Sequence, residues 1–249
     1  NTKQGLYKMY YNDFLLCTGF YHENEKHGPW TKYYPNGKIS TQGVYNKGKK
    51  NGLWKFIYEN NQLASVTQFS RGIPTGRWIG YYMNGDASCV IDHFENDVDS
   101  LKKKITMFYQ RKVGHLKQPS IKHREIVIKN IFGKKVNEIN LYYDNGQLFK
   151  HCYYVDDELD GIFNTFYEDG KPWEELEFKI GKLITVNYIK SPYGDLMKND
   201  FTDGTGSVNF YNCDGALESM VEFKDGLPHG EAIYYYYGRR TDNAKRAEG

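Results

Sequence analysis

A ten-residue pattern returns every 24 residues, and this recurrence constrains the fold more than any other property of the 249-residue chain. Gly28-Pro29-Trp30-Thr31-Lys32-Tyr33-Tyr34-Pro35-Asn36-Gly37 is followed 24 residues on by a copy led by Gly52, with Trp54 and Tyr58. A third copy, 24 residues later, is led by Gly76, with Trp78, Tyr81, Tyr82, Asn84 and Gly85. The register returns at Asn137, ahead of Ile139, Tyr142, Tyr143, Asn145 and Gly146, and again at Gly161, ahead of Phe163, Phe166, Tyr167, Asp169 and Gly170. Weaker copies start at Gly5, Gly206 and Gly230. Each unit also carries a late aromatic (Tyr45, Phe69, Tyr154, Phe178 or Phe223), followed in most copies by a glycine at 48, 72, 181 or 226. A unit this short cannot bury a hydrophobic face alone and must stack on its neighbours.

The positions within a unit predict its structure. Asn36-Gly37, Asn84-Gly85, Asn145-Gly146, Asp169-Gly170 and Asp214-Gly215 are dipeptides suited to the two positive φ angles of a type I′ turn, so each marks a hairpin tip flanked by strands. Side chains alternate across a strand, which places Trp30 and Tyr34 on one face and Tyr33 on the other, and repeats the arrangement at Trp54 with Tyr58 and Trp78 with Tyr82. Equivalent strands of successive hairpins lie about 9.5 Å apart, a gap the late aromatics fill by cross-strand pairing. The expected fold is all-β: an elongated, twisted antiparallel β-meander of tandem hairpin repeats, about 14 to 18 strands at two per repeat. Helical periodicity is nearly absent. The pattern runs through residues 1–99 and 137–238, separated by a divergent basic stretch at 100–136 and followed by a tail at 239–249; Thr185 to Thr205 is also irregular.

Composition fits this fold. Aromatic residues make up 16% of the chain, with 23 Tyr, 14 Phe and 4 Trp beside 25 Gly, a mixture that favours strands and turns. No apolar run approaches the roughly 18 residues of a membrane helix. Cys17, Cys89, Cys152 and Cys213 are widely spaced, with no C-x-x-C pair, so free thiols are expected rather than a zinc site. That usage favours a reducing, cytoplasmic setting, with a cell-surface location the alternative if a targeting segment precedes Asn1.

The run Gly28 to Lys38, the Val44-Tyr45-x-x-Gly48 segment and the pairs His27-Gly28 and His229-Gly230 resemble the MORN-variant repeat family, and particularly the bacterial antitoxin-like proteins of the YwqK type. The resemblance covers most of the chain and departs from the pattern at 100–136. It implies a non-catalytic protein-binding module, with an antitoxin or immunity protein covering a toxin as its particular form; a structural, membrane-associated or cell-surface scaffold is the alternative.

No pattern points to catalysis, a metal or a cofactor. His22-Glu23 with His27 is one residue too long for the zinc spacing H-E-x-x-H, and the two imidazoles are not expected to converge. His151 and Cys152 are strand neighbours and should face opposite ways. Glu174, Glu175 and Glu177 read as the wet face of a strand. Phosphate-cradling loops, nucleophile elbows and dinucleotide fingerprints are missing, the glycines being spent on turns.

Charge is distributed unevenly. Leu101 to Lys135 holds 11 Lys or Arg against one acid, while Val155 to Ile180 holds nine acids against two Lys. Such asymmetry suits either a solvated insertion or a surface that steers an acidic partner, more readily a protein than nucleic acid or anionic lipid. The expected contact surface is the face opposite the tryptophans, presenting Tyr33, Tyr81, Tyr142 and Phe166, with Lys102, Lys103, Lys104 and Arg111 steering the approach. Self-association is left open.

Overall fold

A computed structural model of the chain describes residues 2–93, 101–108, 122–131, 133–236, 239–240 and 246–247. Among the described residues there is no helix, and every strand pair is antiparallel. Of twenty-one described strands, three are two residues long and eighteen span six to ten residues, as two strands per repeat require. The chain divides into two compact units, residues 1–122 and 123–249.

The first unit is a single-layer meander in which each strand pairs with the next: β1 (Gly5–Tyr11), β2 (Phe14–His22), β3 (Glu25–Tyr33), β4 (Ile39–Asn46), β5 (Lys49–Ile57), β6 (Leu63–Ser70), β7 (Ile73–Tyr81), β8 (Ala87–His93) and β9 (Leu101–Phe108). The second unit opens the same way, with β10 (Lys122–Ile131), β11 (Lys134–Tyr142), β12 (Leu148–Val155), the short β13 (Glu158–Leu159), β14 (Gly161–Phe166), β15 (Pro172–Lys179) and β16 (Lys182–Ile189). A second sheet follows: β17 (Gly206–Tyr211), β18 (Leu217–Lys224) and β19 (Leu227–Tyr236), with β20 (Arg239–Arg240) and β21 (Arg246–Ala247) both on β19. The basic stretch at 100–136 thus supplies β9 and β10.

The turns at the Asn-Gly tips differ from the sequence expectation of type I′. At Asn36-Gly37 only the glycine has positive φ (80°), and its N–H donates to the Tyr34 carbonyl. This is a type I turn closed by a glycine bulge. The Asn36 side chain accepts the Lys38 N–H at 3.0 Å, a local bond that fits this geometry. Asn84, Asn145 and Asp169 repeat it. Turns with two successive positive φ angles occur at the other hairpin ends, for example Lys47-Gly48 (47° and 72°) and Arg71-Gly72 (51° and 88°), where only two residues separate the strands and the primed turn matches their twist. The irregular stretch hides one further tip: Gly194 donates to the Ser191 carbonyl 24 residues after Gly170 donates to Tyr167.

Neighbouring repeats are also latched by tyrosine hydroxyls. Tyr34 donates to the Ile57 carbonyl, Tyr58 to Tyr81, Tyr143 to Phe166 and Tyr167 to Lys190, at 2.6–2.8 Å and always 23 residues on. Tyr82 reaches Phe108, 26 residues on. The second tyrosine of each pair therefore ties its repeat to the next, a task the alternation argument did not assign to it.

In the second unit residues of both sheets contribute to one core. Leu176, Leu183, Ile189 and Val208 are at most 3% exposed, with Phe163, Phe178, Phe201, Phe210 and Phe223 packed around them. Phe163 and Val208 both occupy the repeat's tryptophan position, so this core forms on the face equivalent to the one that carries the tryptophans in the first unit. Glu174 lies on this inner face, 9% exposed, and accepts the Thr165 hydroxyl at 3.0 Å. Its assignment to a wet face is corrected: it pairs with Thr165 and shares a face with Leu176 and Phe178. Burial raises its carboxyl pKa above the ordinary value, opposed by the Thr165 hydrogen bond.

Candidate binding surface

In the first unit, cross-strand register sets Tyr7, Tyr21, Trp30, Tyr45, Trp54, Phe69 and Trp78 on one face. The rings form a ladder: Tyr21 to Trp30 is 5.5 Å between centroids, Trp30 to Tyr45 5.7 Å, Tyr45 to Trp54 5.0 Å and Trp54 to Phe69 6.2 Å, all edge to face, the arrangement aromatic quadrupoles prefer. Among the described residues of the unit no second layer covers these rings, yet Trp30 is 5% exposed and Trp54 2%. Glycine explains the burial. Each indole lies flat on the preceding β-strand over a residue eleven positions earlier, Gly19 under Trp30 and Gly43 under Trp54, where any Cβ would collide with the ring. From there the indole N–H reaches a backbone carbonyl at 3.1 Å, Phe20 for Trp30 and Val44 for Trp54.

A lysine closes each ring from above. Lys26 Nζ stands 4.7 Å from the Trp30 centroid and 5.2 Å from Tyr45; Lys50 Nζ stands 4.6 Å from Trp54 and 4.9 Å from Phe69, within cation–π range. Burial, and then the charge of nearby Lys32, lowers the Lys50 ammonium pKa below its ordinary value. The strand residues of this face include Lys26, Lys32, Lys50 and Lys103, and no Asp or Glu among those described.

The third repeat breaks both rules. Thr67 stands where Gly19 and Gly43 stood, so Trp78 has no flat seat, and Pro74 replaces the lysine. Trp78 is left half-buried. A cavity of about 410 Å³ opens beside it, lined by Phe56, Thr67, Phe69, Pro74, Trp78 and Ile91, with Ser65 and His93 completing it. Thr67 is 5% exposed, and its hydroxyl has no hydrogen-bond partner.

The residues singled out from sequence are distributed differently. Tyr33, Tyr81, Tyr142 and Phe166 are half-buried final residues of β3, β7, β11 and β14, each just past a register shift. Tyr81 and Phe166 lend their carbonyls to the tyrosine latches. The Tyr33 hydroxyl sits 3.5 Å from that of Thr18. Lys103 pairs with His93 on the tryptophan face, whereas Lys104 pairs with Asp92 on the other. Lys102 lies in β9, and Arg111 lies outside the described residues. Sequence reasoning passed over Gly19, Gly43, Lys26 and Lys50, whose signal is a column-by-column comparison of the repeats.

Two dismissed pairs can be placed. The His22 and His27 rings approach to 5.8 Å, closer than expected, because the Glu23-Asn24 turn folds β2 onto β3; among the described residues no group of three or more candidate ligands accompanies them. Cys152 is 2% exposed, while His151 turns to the other face, with its ring 4.8 Å from Tyr153 and Nε2 3.5 Å from a Glu138 carboxylate oxygen.

Fold and surface together define a tandem-hairpin repeat protein with an aromatic face. Three segments, residues 26–47, 50–70 and 159–179, match the family described as MORN repeat variant, so the chain carries repeats of that kind at these places. No curated protein matches the chain significantly.

Proposed function

We propose that this chain is a non-catalytic protein-binding module that meets its partner with the tryptophan face of the first unit. The observation that carries this reading is the charge of that face: lysines over packed rings, with no carboxylate among its described strand residues. A packed aromatic floor holds the lysines in place, and one-sided charge selects and steers an acidic partner. Of the positions first singled out, Tyr81 and Phe166 lend main-chain carbonyls to the latches; the charge of the tryptophan face is what favours that face. An antitoxin or immunity protein covering an acidic toxin is the particular form that the repeat pattern suggests.

The test is capture from an extract of the source cells by the immobilised chain and by a Lys26→Gln/Lys50→Gln variant, with retained proteins identified by mass spectrometry. The reading predicts an acidic protein held by the first and lost by the second, with the far-ultraviolet circular dichroism of the variant unchanged. Identical capture by both contradicts it. Binding confined to anionic vesicles would instead favour a membrane-associated scaffold.

A further inference from the structure

The groove beside Trp78 is where the tryptophan face departs from its own rule. In the first two repeats a glycine seats the indole and a lysine covers it. In the third, a threonine takes the place of the glycine and a proline that of the lysine, and five apolar side chains (Phe56, Phe69, Pro74, Trp78, Ile91) surround an open space of about 410 Å³. That volume holds one or two large side chains, at the small end of the range for ligand sites.

Resting on the protein-binding reading above, we infer that this groove receives a single large apolar side chain from an extended acidic segment of the partner protein. Three observations select this occupant. The Thr67 hydroxyl is buried beside the groove without a partner, and a buried hydroxyl needs a hydrogen bond. A peptide main chain supplies one next to its anchor side chain; a hydrocarbon tail does not. Cations flank the groove on both sides: Lys50 on β5, 5.4 Å from Phe56 and 4.9 Å from Phe69, and Lys103 on β9, paired across the strands with His93. Carboxylates on either side of the anchor complement them. A second copy of this face would bring lysine against lysine, in contrast to the second unit, where apolar Leu176, Leu183 and Val208 gather in one core.

The test uses the full chain and two acetylated, amidated peptides of Asp and Glu residues, identical except for a central Leu or Ala. Binding is read by calorimetry and by tryptophan fluorescence. The Leu peptide is expected to bind and to shift the emission, and the Ala peptide to bind about tenfold more weakly or worse, since the groove loses the methylene burial. Thr67→Gly/Pro74→Lys restores the closed geometry of the first two repeats and should abolish the difference between the peptides. Pro74→Lys alone changes an exposed position and should reduce the difference even if the double variant fails to fold. Lys26→Gln/Lys50→Gln should weaken both peptides together. Equal affinity for the two peptides overturns the inference, as does an undiminished difference in folded Pro74→Lys, or self-association that this variant abolishes. If extract capture depends on Lys26 and Lys50 while the peptides are not distinguished, the binding reading stands and the groove assignment falls.

Discussion

Gly43 and Trp54 provide the sharpest test of how a single sheet layer buries a tryptophan. Gly43 is not among the glycines with positive φ, so alanine there should by itself stabilise, by about 0.4–1 kcal/mol, through the unfolded chain. In the folded chain its Cβ would fall among the Cγ, Cδ2 and Cε2 atoms of the Trp54 indole. Overpacking of this kind costs about 1–3 kcal/mol, so Gly43→Ala is expected to destabilise. Trp54→Ala, which removes a ring 2% exposed, should cost about 3–5 kcal/mol. In the Trp54→Ala background the collision partner is gone, and Gly43→Ala should become neutral or stabilising. The double-mutant cycle, measured by urea unfolding and followed by circular dichroism, should therefore show a coupling of at least about 1 kcal/mol. Additive effects, with Gly43→Ala equally harmful in both backgrounds, would refute the seating of the ring on the glycine.

Two further outcomes follow. Tyr58→Phe deletes the hydroxyl that donates to the Tyr81 carbonyl at 2.8 Å and should cost about 0.5–1.5 kcal/mol in the same assay; no change would mean that the latch contributes nothing. Glu174 has a folded-state pKa raised by burial, so its penalty is absent below the unfolded pKa and grows as pH rises through the folded one. Glu174→Gln should therefore stabilise more at neutral pH than at about pH 4, and urea midpoints showing the reverse order would contradict the burial assignment.

The repeat, the strands and the ladder were legible because they depend on residue type at fixed spacing: Trp30, Trp54 and Trp78 are 24 apart, and Tyr45 and Phe69 pack where alternation puts them. The turn types were not, because Asn36-Gly37 satisfies both a primed turn and a type I turn with a glycine bulge, and the choice depends on strand pairing. Glu174 was legible in principle: it alternates with Leu176 and Phe178 rather than with Glu175 and Glu177, and the pairing of β15 with β14 is regular from Glu174 to Phe178. The gathering of Leu176, Leu183, Ile189 and Val208 into one core is a long-range arrangement that no local pattern encodes. The groove was legible in principle. Gly19, Gly43 and Thr67 occupy one column of the repeat, and Lys26, Lys50 and Pro74 another; it is the substitution within each column, rather than the consensus, that opens the site.

Site-specific photocrosslinking tests the central claim most directly. Benzoylphenylalanine placed at the position of Pro74, on the groove, is compared in the source cells with the same group at the position of Leu53, which lies on the opposite face and is 51% exposed. The account predicts a crosslinked acidic protein from position 74 and none from position 53. A crosslink from position 53 alone would place the partner on the other face and contradict it.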